Sequence, residues 1–305
     1  MSIVERDLYS PSRAAFRQER AAFLALMASG IIWGLIWWPL KYFAQQGLSG
    51  HAIGLTAYAF VAVATLPAIW RQRSVWRAEA GWLLLIGLCF GCANMAFTAA
   101  LTAGPVVRAM LLFYLLPCWG ALGGALFLHE RIGPRRLTAV VLSLAGVFVI
   151  MGGTDVLRRP PSLADVMALA AGLGYTAAGI ANRKAKAIPV TSRALSAFVG
   201  CAVVAVAALP FSAPALPSLP PSVWALLVLF AFVWLLGGTL VTTYGVMHVQ
   251  ASRAAVLQVV ELLVAVVSAV LIGGEAMTAK DWTGGAMIVA ATLIEATNTG
   301  TEEGP

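Results

Sequence analysis

The strongest constraint on this chain is where charge is missing. No Asp, Glu, Lys or Arg falls from Ala21 to Leu40, Tyr42 to Trp70, Ala80 to Val107, Ala109 to His129, or Leu137 to Thr154. A further charge-free run, Ala194 to Ser252, has room for two helices and is divided by Pro214, Pro217, Pro220 and Pro221. A helix needs roughly 20 mostly apolar residues to cross a bilayer, and these runs meet that length. In lipid a backbone must bond within its own segment, so they read as helices. The expected spans are 21–43, 49–70, 81–102, 105–129, 134–153, 162–187, 190–212, 221–248, 252–274 and 280–298. At 60% hydrophobic and 11% charged, the chain has too little charge for a water-facing surface. Its four Cys are too few for a disulfide scaffold. The sequence describes an all-α membrane protein with ten transmembrane helices.

Orientation follows from Lys and Arg on alternate sides. One side takes Arg6, Arg13, Arg17, Arg20, Arg71, Arg73, Arg77, Arg131, Arg135, Arg136, Arg183, Lys184, Lys186, Arg193 and Arg253. The other takes only Lys41, Arg108, Arg158, Arg159 and Lys280. Positive charge is retained on the cytoplasmic side, so both termini are expected in the cytoplasm. The net charge of +7 is then a matter of membrane orientation, and no nucleic-acid partner is called for. Arg13, Arg17 and Arg20 precede the first span as in a signal peptide. That span is too long for one and lacks an A-x-A site, so it is expected to remain.

Shifting the chain by 145 residues aligns it with itself. Thr98 falls on Thr243, Arg108 on Arg253, Ala109 on Ala254, Leu112 on Leu257, Leu126 on Leu271, Glu130 on Glu275 and Thr138 on Thr283. The opening helices align at 142 instead, with Gly30 on Gly172, Trp33 on Tyr175 and Lys41 on Arg183. The charged matches carry the weight, because charge is scarce. The expected organisation is an N-terminal tail (1–20), a first five-helix repeat (21–153), a second (162–298) and a C-terminal tail (299–305). Five is odd, so the second copy is expected upside down relative to the first. Inverted repeats recur in secondary transporters, where they supply two related packings. The architecture favours transport over a channel or an enzyme and leaves the substrate open.

These features resemble the EamA-type drug/metabolite transporters: two five-helix repeats, Trp33-Gly34 early in the first helix and Lys41 closing it. The fourth helix has a central Pro117 and a terminal Glu130 before a short basic turn. The second half keeps the glutamate as Glu275 but has Leu262 at the position of Pro117. Within that group the chain is most similar overall to the bacterial aromatic amino-acid exporters. The resemblance implies a multi-pass inner-membrane exporter of small metabolites with a central cavity and no cofactor.

Candidate site residues come from polar and aromatic groups at bilayer depth. Glu261 lies mid-span in the ninth helix with Gln258 one turn before it, on a face shared with Ala254, Ala265 and Ser268. A carboxylate at that depth costs at least ~2.5 kcal/mol, so it is expected to face a cavity or a partner. It serves a solute, a proton or a helix-to-helix hydrogen bond. Trp33, Trp37, Tyr114, Tyr175 and Trp234 are also central, where they line a cavity for planar solutes or fill the core. Trp70, Trp76, Trp82, Trp224 and Trp282 instead fall at the expected interfaces. Asn94, its repeat mate Thr239, and Thr242 bond a solute or a neighbouring helix. Gly30, Gly34, Gly237 and Gly238 leave room for either a solute or a close helix. Pro117 is a gating hinge or a fixed kink. Glu130 and Glu275 are expected to pair with basic loop residues such as Arg135 and Lys280, and His51 and His248 to sit near interfaces.

Other chemistries find no support. Cys89-x-x-Cys92 lies inside an apolar helix, His129-Glu130 is not part of H-E-x-x-H, and no phosphate-binding G-x-x-x-x-G-K-[ST] loop occurs. The expected partners are a small-molecule substrate, neutral or aromatic amino acids first, and the lipid bilayer. A nucleoside, sugar or drug remains an alternative substrate, and a lipid-handling protein an alternative class.

Overall fold

The computed structural model describes residues 13–129, 132–154, 161–212, 218–248 and 251–297. Among them the structure is helical, with no strand. We label the long segments α1 (Arg13–Gly34, continued by Trp37–Gln45), α2 (Gly50–Arg71), α3 (Ala80–Ala103), α4 (Val106–Phe113, continued by Leu116–Leu128), α5 (Pro134–Ile150), α6 (Leu163–Lys184), α7 (Val190–Ala207), α8 (Pro221–His248), α9 (Ala251–Leu271) and α10 (Ala279–Thr297). Seven of the described helices are long and apolar enough to cross a membrane: α1 from Arg20, α2, α3, α4, α6, α7 and α8. Segment α5 has 17 residues, the apolar described part of α9 runs from Val259 to Leu271, and α10 carries Lys280, Asp281 and Glu295. The expected tails fall largely outside the described residues.

The helices are apolar both inside and out, as a lipid environment requires. Leu126 is 70% exposed and Leu271 77%, while Met110, Leu112, Leu227 and Leu262 are fully buried. Glycine sets how closely the helices meet. Gly87 and Gly91 of α3 cross Gly200 of α7 backbone to backbone. Gly146 of α5 meets Gly284 of α10 in the same way. Segments α6 and α7 both pack along α3, and α9 and the end of α8 pack along α1. The pairing respects the repeat: α4 packs on α6, and their mates α9 and α1 pack on each other.

Three irregularities interrupt this bundle, all near mid-helix. Segment α1 breaks at Leu35–Ile36, where Ile36 N–H turns back to the Trp33 carbonyl at 3.2 Å. Pro39 is the cause, since it has no N–H for Leu35 and its ring crowds the preceding turn. Segment α4 breaks at Tyr114–Leu115. Pro117 cannot donate to Phe113, whose carbonyl instead lies against Gly172 of α6, 2.6 Å from where a Cβ would stand. The third is a π-helical stretch, Phe230–Gly237, within α8. Such bulges recur at functional sites.

Candidate functional site

Two of these irregularities, the breaks of α1 and α4, flank one carboxylate. Glu261 lies at the middle of α9, ten residues from either end. Among the described residues, the other Asp, Glu, Lys and Arg side chains lie toward helix ends or in links. Glycine brings α1 against this point. A Cβ on Gly34 would lie 2.8 Å from the Glu261 carbonyl oxygen, and one on Gly30 3.4 Å from its amide nitrogen. With α1 so close on that side, the Glu261 side chain turns toward α4 and α6.

There it accepts a hydrogen bond from the Tyr114 hydroxyl and comes within electrostatic reach of Tyr175. Tyr114 is held at the break in α4, fully buried. Phe113 joins the two tyrosines, its ring centroid 5.4 Å from Tyr114 and 5.8 Å from Tyr175, both edge-on. Phe97 at 4.7 Å from Phe113 and Phe90 at 5.5 Å from Tyr175 extend the cluster onto α3. Edge-to-face rings present polarised C–H edges to their neighbours. The arrangement is a mid-bundle carboxylate with tyrosine partners inside an aromatic wall.

The tryptophans form a second group on the far side of α1. Trp33 donates its indole N–H to Thr242 Oγ1 at 2.9 Å, and Ser29 shares that hydroxyl at 2.6 Å. Trp234, inside the π-helical stretch, donates to the Ile32 carbonyl at 2.8 Å. The α1 break frees that carbonyl, because Ile36 bonds Trp33 instead. The bulge of α8 and the break of α1 are therefore tied by one hydrogen bond.

Of the residues singled out in the sequence, Tyr114, Tyr175 and Glu261 come together. Trp33, Thr242 and Trp234 form the neighbouring group. Trp37 stands apart, buried and bonded to Ser268 at 2.9 Å. Asn94 accepts from the Tyr58 hydroxyl at 2.8 Å and donates to the Phe90 carbonyl at 2.9 Å. Thr239 donates to its own helix at Leu235, 2.7 Å. Gln258 lies one turn before Glu261 in α9 and Glu130 follows α4, but the side chain of the first and the whole of the second fall outside the described residues. Glu275 differs from its expected pairing with a loop cation. Its two carboxylate oxygens accept the amides of Val106 (2.6 Å) and Val107 (2.9 Å), capping α4 across the repeat boundary. Phe113, Ser29, Tyr58 and Pro39 were not singled out in the sequence. Pro39 had a signal, an in-span proline, while the others needed the packing.

Broken helices meeting at a mid-bundle polar group, in a chain of two repeats, define a helical membrane transporter. The EamA-like transporter family model matches residues 20–152 and again 162–296, and the chain belongs to that family. The family is one of transporters and not of enzymes. No curated protein matches the chain. A solved crystal structure, described only as that of a protein, is similar at 18% identity and a TM-score of 0.57. It covers 90% of this chain and 96% of its own, and supports the fold alone.

Proposed function

We propose that the protein exports small amphipathic metabolites, aromatic and other neutral amino acids first, by alternating access around a central cavity lined by α1, α3, α4, α6, α8 and α9. In this reading all ten helices cross a bacterial inner membrane, both termini are cytoplasmic, and the two five-helix repeats are inverted. The observation that carries it is Glu261 at the centre of the bundle, hydrogen-bonded by Tyr114 and flanked by Tyr175 and Phe113. A carboxylate there is costly to keep charged unless a partner compensates it. An ammonium group of a solute supplies that partner, and the aromatic wall takes a planar side chain by stacking and area burial. Alternating access needs elements with two packings, and the α1 break, the α4 break and the α8 bulge lie where those elements would pivot.

Counterflow in proteoliposomes tests the reading. Vesicles loaded with one solute are followed for uptake of labelled phenylalanine. Exchange driven by aromatic and neutral amino acids, and not by sugars or nucleosides, is the expected outcome. Glu261→Gln keeps the shape and the hydrogen bond but loses the charge, and is expected to cut exchange by at least tenfold in folded protein. Wild-type exchange in that variant removes Glu261 from the mechanism.

A further inference from the structure

One end of the bundle is tied together by polar contacts that converge on the link between α3 and α4. Glu275, after α9, caps the first two residues of α4. It is aimed by Gly274, whose φ of +67° favours glycine. Lys41, near the end of α1, donates to the Gly104 carbonyl at 2.8 Å. Arg108, in the first turn of α4, grips Asp165 in the first turn of α6 with two nitrogens, at 2.6 and 3.1 Å. It also donates to the Ile150 carbonyl at the end of α5, 3.2 Å. Asp165 is buried and belongs to a capping box with Ser162, so its carboxylate is fixed before Arg108 arrives. Such a two-pronged contact with a fixed acceptor is the strong form of an ion pair.

The repeat makes this pair informative. The mate of Arg108 is Arg253, and the mate of Glu275 is Glu130, so both ends of the molecule inherit those two types. Asp165 has no acidic mate. At the 142-residue offset of the opening helices its counterpart is Phe23, a side chain 47% exposed. One end of the molecule thus has a carboxylate for its α4-type arginine, and the other has a phenyl ring.

Resting on the alternating-access reading above, we infer that Asp165 is a positioning residue that sets the resting orientation. Its ion pair with Arg108 seals the α3–α4 end, the exterior by the charge count, and this contact must break before the site opens on that side. At the opposite end the position equivalent to Asp165 is Phe23, which cannot make such a pair, so the molecule rests loaded toward the cytoplasm, the orientation an exporter needs in order to refill. Two nearly equal packings are biased by one contact that only one of them makes.

The test reads exposure and does not depend on the substrate. Met110, one turn before Tyr114 on α4, is fully buried between the ion pair and Glu261. A Met110→Cys reporter is labelled with a membrane-impermeant thiol reagent added to the α3–α4 face, in intact vesicles, against the parent with its four native cysteines. Asp165→Asn preserves the side-chain shape and its capping oxygen, and Arg108→Met leaves the capping box whole. Each is expected to raise reporter labelling roughly fivefold, and the double variant no further, since both break one contact. Thermal unfolding confirms that each variant is folded. Unchanged labelling in either folded variant, or additive effects in the double variant, overturns the assignment. If phenylalanine counterflow fails while labelling rises as stated, the substrate reading falls and the Asp165 contact stands.

Discussion

The crossing of α3 and α7 gives the sharpest test of the packing. Gly87 and Gly91 are four apart on α3, the small-xxx-small spacing that lets membrane helices approach closely. Gly200 of α7 sits directly on them. A Cβ at residue 200 would stand 2.0 Å from the Gly87 carbonyl oxygen and 2.1 Å from its carbonyl carbon. Both are backbone atoms, so no rotamer change relieves the contact. Ordinary contact begins near 3.4 Å, so Gly200→Ala must push the helices apart by more than an ångström. Overpacking of this kind costs about 1–3 kcal/mol, and α6 packs along the same helix and must adjust too. At about 2–4 °C per kcal/mol in a protein of this size, the melting midpoint is expected to fall by roughly 2–12 °C. Gly120→Ala is the control, because a Cβ there meets nothing within 4 Å. Alanine also favours a helix over glycine by about 1 kcal/mol, so the control is neutral or stabilising. Thermal unfolding of purified protein in detergent measures both variants side by side. Equal midpoints would refute the claim that backbone contact between α3 and α7 organises the bundle.

Two further changes probe the site. Tyr114→Phe keeps the ring and its contact with Phe113 but removes the donor to Glu261, a hydrogen bond to a chargeable group in the ~1.5–3 kcal/mol range. Exchange is expected to drop about tenfold while the unfolding midpoint falls by roughly 3–12 °C, and an unaltered rate in folded protein would detach Tyr114 from transport. Thr242→Val removes the oxygen that serves both Trp33 and Ser29. The stranded indole N–H should lower stability by roughly 1–3 kcal/mol, read from denaturant unfolding of Thr242→Val against Thr239→Val, whose hydroxyl bonds only its own helix.

What the sequence disclosed and what it hid divide along a physical line. Helix positions came from charge-free runs, a local property, and most helix ends fall within about three residues of the charge-based spans. Glu261 stood out because a lone carboxylate in an apolar helix is conspicuous without any neighbour. Tyr114 and Tyr175 were visible as central aromatics, yet their meeting at Glu261 depends on α4 and α6 lying beside α9. The partners of Asn94, Trp37 and Thr242 were hidden for the same reason, since each bonds a helix distant in sequence or an adjacent turn. The role of Glu275 was obscured by its basic neighbour Lys280, which made a loop ion pair look sufficient. Its true partners are the amides that donate to it at the start of α4, and backbone groups leave no mark in a sequence. The π-helical stretch in α8 has no compositional signature at all, for Phe230–Gly237 reads as an ordinary apolar run.

The site also explains where the two repeats differ. Their shared features are those that pack helices: the α3–α6 and α8–α1 pairs, the self-paired α5 and α10, and glycines at close crossings. Their differences include the irregularities of the helix backbone. Segment α1 is broken by Pro39 where α6 is continuous, and α4 is broken by Pro117 where α9 has Leu262. Segment α8 bulges where α3 is regular, and α9 carries Glu261 where α4 has Leu116. Packing alone would be served by two identical halves. On the reading proposed above, the solute has a charged end and an apolar body, and a site between two related halves must break the symmetry to hold it in one pose. The same logic extends to the Arg108–Asp165 pair at the bundle end, which Phe23 does not reproduce. On the alternating-access reading proposed above, symmetry gives the molecule two packings, and its exceptions give one of them a binding pose and a preferred state.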